Sequence, residues 1–264
     1  MIPDLQTYDW IVVSSSGGKD SQTTLDVMHE ECQKAGVVDR MVVAHANLAK
    51  IEWPGASELA ENQARHYEIP FHTKTRKQGD LLEHVLQRGK WPSSDCRYCT
   101  SDHKRDQIAR LFSELAGKMS AAKVNRRMNV LHCMGMRADE SPARRKLNPF
   151  QQDDRNTCSF RQVDTFLPIH SWPVERVWEQ IKSSKVPHHH AYDLGIPRLS
   201  CVFCIFSPKA ALMVAGKHNP ELLNEYVEVE AKIGHTFKKN FRIAEIKAAL
   251  EAGEVPGEVK DWVM

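Results

Sequence analysis

Residues 9–25, DWIVVSSSGGKDSQTTL, constrain the chain more than any other stretch. A short run of apolar, β-branched residues leads into serines, a glycine pair and a lysine. A segment with helical spacing follows directly. Strand, tight turn and helix in that order form the opening of a βα unit in a parallel sheet. Gly17 and Gly18 let the backbone turn sharply and approach a ligand closely. The helix expected from Ser21 aims unpaired N–H groups and a partial positive charge at the turn, which is how helix starts bind phosphate. Lys19 adds a full charge. Asp20 would hold a metal ion or orient the helix start, and Ser21 would cap it. The ordinary phosphate-loop pattern G-x-x-x-x-G-K-[ST] is not met, because an acid follows the lysine.

The rest of the chain repeats the alternation. RMVVAHANL, PFHTKTR and MNVLHCMGMR read as strands. SQTTLDVMHEECQKAG, GASELAENQARHYEI, GDLLEHVLQRG and SDHKRDQIARLFSELAGK read as helices, with Gly36 stopping the first. This predicts an α/β fold with a doubly wound, mainly parallel sheet, whose ligand sites lie beyond the carboxyl ends of the strands. Ser16–Ser21, His45–Asn47 and Gly135–Arg145 all follow such ends. LNPFQQDDRNTCSFRQVDTF is polar and reads as a loop or flap. VERVWEQIKSSK reads as a short helix, and VPHHHAYDLGIPRLSC as a loop. From Ser207 onward three helices are expected. The expected division is a nucleotide-binding domain over 1–205 and a helical extension over 206–264 packed on it.

At 264 residues and 41% hydrophobic content the chain can bury a sizeable core. A formal net charge of +2 excludes a strongly basic bulk, though local basic patches remain possible. No apolar run approaches the roughly 20 residues of a membrane span. The first ten residues, MIPDLQTYDW, carry two acids and no basic segment, unlike a signal peptide. A cytoplasmic, membrane-free protein is expected, with its seven cysteines reduced.

Four of those cysteines form two C-x-x-C pairs, Cys96/Cys99 and Cys201/Cys204. Each pair can present two thiolates to one metal across a tight turn. Together they supply four sulfur ligands, which suits either zinc or a [4Fe–4S] cluster. The pairs lie about a hundred residues apart, much wider than a compact zinc ribbon. Cys32 and Cys133 fall on apolar elements and read as core. Cys158 lies in the polar segment. His188–His190 cannot all face one centre, so loop packing or phosphate contact is favoured over a metal.

SGGKDS is similar to the signature of the PP-loop ATP pyrophosphatases. CMGMRADESPARRK is similar to the G-[IV]-R-x-x-E-S-x-x-R block of the phosphoadenosine phosphosulfate (PAPS) reductase family. LPIHSWPVERVWEQIKSSKVPHHHAYDLGIPRLSCVFC is similar to that family's P-I-x-x-W to C-x-x-C block. The blocks stand in the family's order from Val12 to Cys204. The resemblance implies an adenine nucleotide alpha-hydrolase-like fold that cuts ATP, with Mg2+, between its α- and β-phosphates. It implies a nucleotide set of Ser16, Gly17, Gly18, Lys19, Asp20, Ser21, His45 and Gly135, with Lys19, Asp20 and Arg137 catalytic. Lys104, Arg137, Glu140, Ser141, Arg144 and Arg198 would meet the anionic substrate. An exposed helical charge is an equal reading for Lys104, and a solvated charge is the better one for Arg145. Several members hold an iron–sulfur cluster near the substrate, which favours a [4Fe–4S] centre on Cys96, Cys99, Cys201 and Cys204 over structural zinc.

Three reactions suit the scaffold. Reductases of this family use a C-terminal cysteine in E-C-G-[IL]-H, and no cysteine follows Cys204. Sulfate adenylation needs no thiol, but it does not call for two C-x-x-C pairs. Sulfur insertion into nucleic acid uses both halves: ATP adenylates an oxygen, and sulfur then replaces it. The ATP-cleaving subunits of DNA phosphorothioation systems resemble this combination most. The expected partners are then ATP, a cysteine desulfurase or other sulfur donor, and DNA or DNA-modification subunits. A basic surface near the strand ends is expected, supplied by Arg97, Lys104, Arg105, Arg110, Arg126, Arg127, Arg144, Arg145 and Lys146. A non-catalytic ATP-binding assembly subunit is the remaining alternative.

Overall fold

The computed structural model describes residues 2–124 and 126–262. Its strands are β1 (Trp10–Ser14), β2 (Met41–Ala46), β3 (Phe71–Lys74), β4 (Met128–Cys133), β5 (Phe150–Gln152) and β6 (Arg161–Phe166). Its helices are α1 (Lys19–Ala35), α2 (Ala56–His66), α3 (Leu81–Arg88), the single turn α4 (Tyr98–Thr100), α5 (Asp106–Ala121), α6 (Pro142–Arg145), α7 (Val174–Ser184), α8 (Lys209–His218), α9 (Pro220–Ile233) and α10 (Ala244–Glu251). The chain packs into two compact units that interleave along the sequence. The first comprises 1–46, 55–74 and 106–189; the second comprises 47–54, 75–105 and 190–264. The expected linear division at 205/206 falls inside the second of these units.

The first unit holds the six-stranded sheet, ordered β3-β2-β1-β4-β6-β5. All neighbours are parallel except β5, which runs antiparallel to β6. The middle strand explains the architecture. Ile11 and Val13 pack with Leu25, Met28 and Cys32 of α1, while Val12 packs with Ile108, Leu111 and Phe112 of α5. A strand apolar on both faces must be covered on both, which is the parallel-sheet solution. Each such fully buried side chain contributes about 1.5–3 kcal/mol relative to exposure. Chain order reverses between β1 and β4, so the crevice for ligands opens beyond their carboxyl ends. Gly36 ends α1 in the left-handed region at φ 69°, its N–H reaching Cys32 O and Gln33 O.

Residues 147–166 are not the expected flap; they contain the β5–β6 pair. Their polarity misleads because the sheet satisfies it. Asp164, buried on β6, accepts from the Tyr8 hydroxyl at 2.9 Å, and β6 pairs along its whole length with β4. The helix expected from Ser101 begins as a π turn, Ser101–Arg105, before α5. The remaining strands and helices fall where the periodicity places them, within a few residues.

The second unit has its own core. Trp91 stacks on Tyr226 at 5.2 Å between ring centroids, and Phe203, Leu212, Phe237 and Ile246 close around them. Segment 47–54 is stitched to the second cysteine pair: Val202 N–H donates to Ile51 O at 2.9 Å, and Glu52 bridges to Cys201. Among the described residues no helix is long and apolar enough to cross a membrane.

Candidate functional site

In the first unit the loop Ser15–Gly18 joins β1 to α1. Gly17 sits at φ +72°, and a Cβ there would stand 2.5 Å from the carbonyl oxygen of Ala56. Glycine is required on both counts. Gly18 is the residue before the helix, and no side chain caps it. Ser21 does not cap the helix as expected. Its hydroxyl donates to Gly18 O at 2.9 Å and accepts from Ser16 N–H at 3.2 Å, holding the loop closed from below. His45, buried at the end of β2, shares a hydrogen bond with Ser15 O at 2.9 Å. A carbonyl can only accept, so Nδ1 carries the proton.

Lys19 and Asp20 open α1. Lys19 is almost wholly buried, and its Nζ lies 3.1 Å from Asp20 Oδ2. The other carboxylate oxygen, Oδ1, accepts from Arg137 Nε at 2.7 Å. Arg137 Nη1 donates to Asp139 Oδ2 at 3.2 Å and to Trp172 O at 3.3 Å. Glu140 accepts from the Arg137 backbone N–H at 2.9 Å and pairs with Arg144. The result is a chain of alternating charge, Lys19, Asp20, Arg137, Glu140 and Arg144, along the crevice side of β1 and β4. Burial works against the charge on Arg137, but Asp20, Glu140 and Asp139 outweigh it and hold the guanidinium above its ordinary range. Ser141 caps α6, accepting from Arg144 N–H at 3.2 Å. Gly135 makes its close approach to protein backbone: a Cβ there would stand 2.5 Å from Asp20 O and 2.9 Å from Ser21 N.

The thiols belong to the second unit. Those of Cys99, Cys201 and Cys204 lie close enough to act on one another electrostatically, with the half-buried Lys104 among them. Burial pushes the Cys201 thiol up to about 12, against the pull of Lys104. Burial likewise disfavours the charge on Lys104, and Cys201, Cys99, Cys204 and Glu52 outweigh it. Cys96 is exposed, and Arg88 Nη2 approaches its sulfur at 3.8 Å. Three of the four expected ligands thus gather, and the fourth, Cys96, is exposed. Among the described residues no three His, Cys, Asp or Glu side chains already stand as an assembled metal site. The donor chemistry still suits a sulfur-bound centre, because soft thiols meet a cation that offsets their charge.

Arg198, also in the second unit and buried, forks onto Asp261, a partner the sequence reading missed. The two lie 63 residues apart and no motif links them. A second missed pair is Ser14 and His132, with Oγ and Nε2 2.8 Å apart, at the ends of β1 and β4. His188 packs edge-on against Trp178 at 5.4 Å. Three of the nine residues expected on a basic face have other engagements. Arg126 clamps Asp9 at the amino ends of the strands, Arg127 reaches Arg161 O there, and Arg144 is paired with Glu140. Cys32 and Cys133 are buried core thiols, as read.

Comparison with known proteins agrees with the fold. Residues 10–207 match the model of the phosphoadenosine phosphosulfate reductase domain. The chain is 25% identical over 260 residues to an uncharacterized 37.8 kDa protein in the gpa 5' region of Escherichia phage 186, covering 83% of this chain and 74% of that one. It is 23% identical over 205 residues to a tRNA-cytidine(32) 2-sulfurtransferase of Polynucleobacter asymbioticus, covering 77% of this chain and 60% of the relative. The crystal structure of PAPS reductase from Candida auris shares the fold, with a TM-score of 0.51 and 18% identity over 75% of this chain and 83% of that one. With three quarters of its length inside the family model, and the loop of that nucleotide fold at the head of α1, the chain belongs to the phosphoadenosine phosphosulfate reductase domain family of PP-loop proteins.

Proposed function

We propose that the chain is an ATP pyrophosphatase that adenylates an acceptor for sulfur transfer, in DNA phosphorothioate modification. The buried Lys19–Asp20–Arg137 chain at the head of α1 carries this reading. The β- and γ-phosphates would lie over Gly17 and Gly18, on the N–H groups of the helix start. An acceptor oxygen attacks the α-phosphorus, the bond to the β-phosphate oxygen breaks, and pyrophosphate leaves with the electron pair. Lys19 and Arg137 face the charge that grows on the leaving group, and Asp20 holds both in place. Mg2+ would arrive with the phosphates, since both Asp20 oxygens already hold cations.

Cys99, Cys201 and Cys204, with Cys96 of the same C-x-x-C pair as Cys99, would hold a [4Fe–4S] cluster; the same donors suit zinc. When bound, the cluster would supply sulfur, which replaces the adenylated oxygen as AMP leaves. The sulfur itself would come from a donor such as a cysteine desulfurase. A second reading, thiolation of tRNA, is favoured by the likeness to a tRNA sulfurtransferase.

The test is a product assay with α-labelled ATP and DNA, tRNA, sulfate or PAPS as separate acceptors. AMP and pyrophosphate that rise with DNA support the proposal. A rise with tRNA alone moves the acceptor to RNA, and pyrophosphate with labelled adenylyl sulfate in place of free AMP moves it to sulfate adenylation. Sulfite released from PAPS moves the reaction to reduction. ADP and phosphate, or no turnover, would overturn the pyrophosphatase reading and leave an ATP-binding assembly subunit.

A further inference from the structure

Arg198 is 6% exposed, yet its guanidinium is engaged by a carboxylate from the far end of the second unit. Nε meets Asp261 Oδ1, and Nη2 meets Oδ2 at 3.3 Å. This two-point fork is how a guanidinium takes a carboxylate, a sulfate or a phosphoryl group. The Asp261 side chain is 54% exposed, so it reaches the arginine from the solvent side. Residues 254–262 form neither helix nor strand. Glu254 N–H donates to Ala249 O at 3.0 Å, and beyond it Val259 and Trp262 pack against the core of the unit, while Asp261 Oδ1 also accepts from Trp262 N–H at 2.8 Å. The indole N–H of Trp262 is buried without a hydrogen-bond partner, a cost that release would remove.

We propose that Asp261 is a built-in occupant of an anion site at Arg198, and that Val259–Trp262 is a strap displaced when a tetrahedral oxyanion binds. This rests on the reading of Arg198 as an anion ligand. Asp261 offers the same two oxygens as a sulfate or phosphoryl edge. Tethered by its own chain, it competes at an effective concentration of about a millimolar. A site closed nine-tenths of the time weakens apparent anion binding about tenfold. The strap therefore makes the unit answer only to an anion that outbids a carboxylate, by charge or by further contacts.

The test compares the full chain with Asp261→Asn, titrating inorganic sulfate and, separately, AMP as the source of a phosphoryl group. Binding is read by calorimetry, and the strap by the Trp262 emission, taken as the difference from Trp262→Phe. Asp261→Asn is expected to bind one of the two probes about tenfold more tightly. The probe that gains names the ligand source. In the unaltered chain that probe should shift the Trp262 emission. In Asp261→Asn/Arg198→Lys the gain should vanish. Unchanged affinity for both probes, a gain without the emission shift, or a gain that survives Arg198→Lys would each overturn the proposal. No turnover is needed, so ATP cleavage can fail while this result stands, and the reverse.

Discussion

Arg137 Nε donates to Asp20 Oδ1 at 2.7 Å, joining the segment after β4 to the first turn of α1. The two residues come from separate sequence blocks, and neither is placed by its own neighbours alone. Asp20 also holds Lys19, so one carboxylate fixes both cations. Removing the arginine would leave a largely buried acid with half its compensation. Arg137→Gln is therefore expected to lose about 3 kcal/mol of stability, as for a broken buried pair. Release of AMP from ATP should fall by about 10²–10³, the usual cost of one donor to a developing anion. Urea unfolding and the α-labelled ATP assay read the two effects separately. A variant that keeps full turnover would remove Arg137 from the chemistry.

Gly135→Ala makes a sharper test of the same contact. Its Cβ would meet Asp20 O, Asp20 C and Ser21 N, all at under 3 Å and all backbone. No flexible side chain can yield there, so the start of α1 must shift. We expect a loss of about 1–3 kcal/mol, typical of overpacking, together with loss of ATP binding. Equilibrium unfolding and nucleotide titration check it. Gly36→Ala is the contrast: it meets nothing within 4 Å, and only its φ of +69° opposes the change.

These contacts also mark how far the sequence could be read. The β1–α1 unit was legible because apolar periodicity and glycine chemistry act locally. Arg137 was legible as a cation after a strand, but its partner Asp20 is set by the fold. Lys104 was legible only as a cation on a helical segment; the π turn at Ser101–Arg105 that places it among the thiols of the second unit leaves no mark in the spacing. β6 was hidden because Gln162, Asp164 and Thr165 look like loop residues until Tyr8 and β4 satisfy them. Asp261 carried no signal at all, since an ion pair across 63 residues leaves no pattern in either segment.

The cysteines divide into unequal roles if a cluster is bound. Cys99, Cys201 and Cys204 lie close enough to act on one another electrostatically, whereas Cys96 is exposed beside Arg88. Anaerobically purified Cys201→Ser and Cys204→Ser should lose most bound iron and acid-labile sulfide. Cys96→Ser should retain a larger share. Equal loss in all three variants would show that Cys96 swings in as a full ligand. Zinc without sulfide would replace the cluster reading with a structural metal.

Stability should also depend on pH through a buried histidine pair. His84 Nδ1 and His103 Nε2 lie 3.0 Å apart, so one must donate and the other accept. The acceptor is neutral by necessity. Burial, with Arg76 and His84 adding to it and Asp102 and Asp80 opposing, lowers His103 to about 4. Burial also lowers His132 to about 4, with Asp153 opposing. Both folded values lie below the 6.5 of free imidazole, so the unfolded chain binds these protons more tightly. Their contribution is complete above pH 6.5 and is lost as pH falls from 6.5 toward 4. Each histidine accounts for about 3 kcal/mol over that window. Urea unfolding measured across it should show stability falling with acid. His103→Gln should reduce the slope by about one proton while leaving the share of His132. A slope unchanged by that substitution would mean that His103 binds its proton as readily in the folded chain as in the unfolded one.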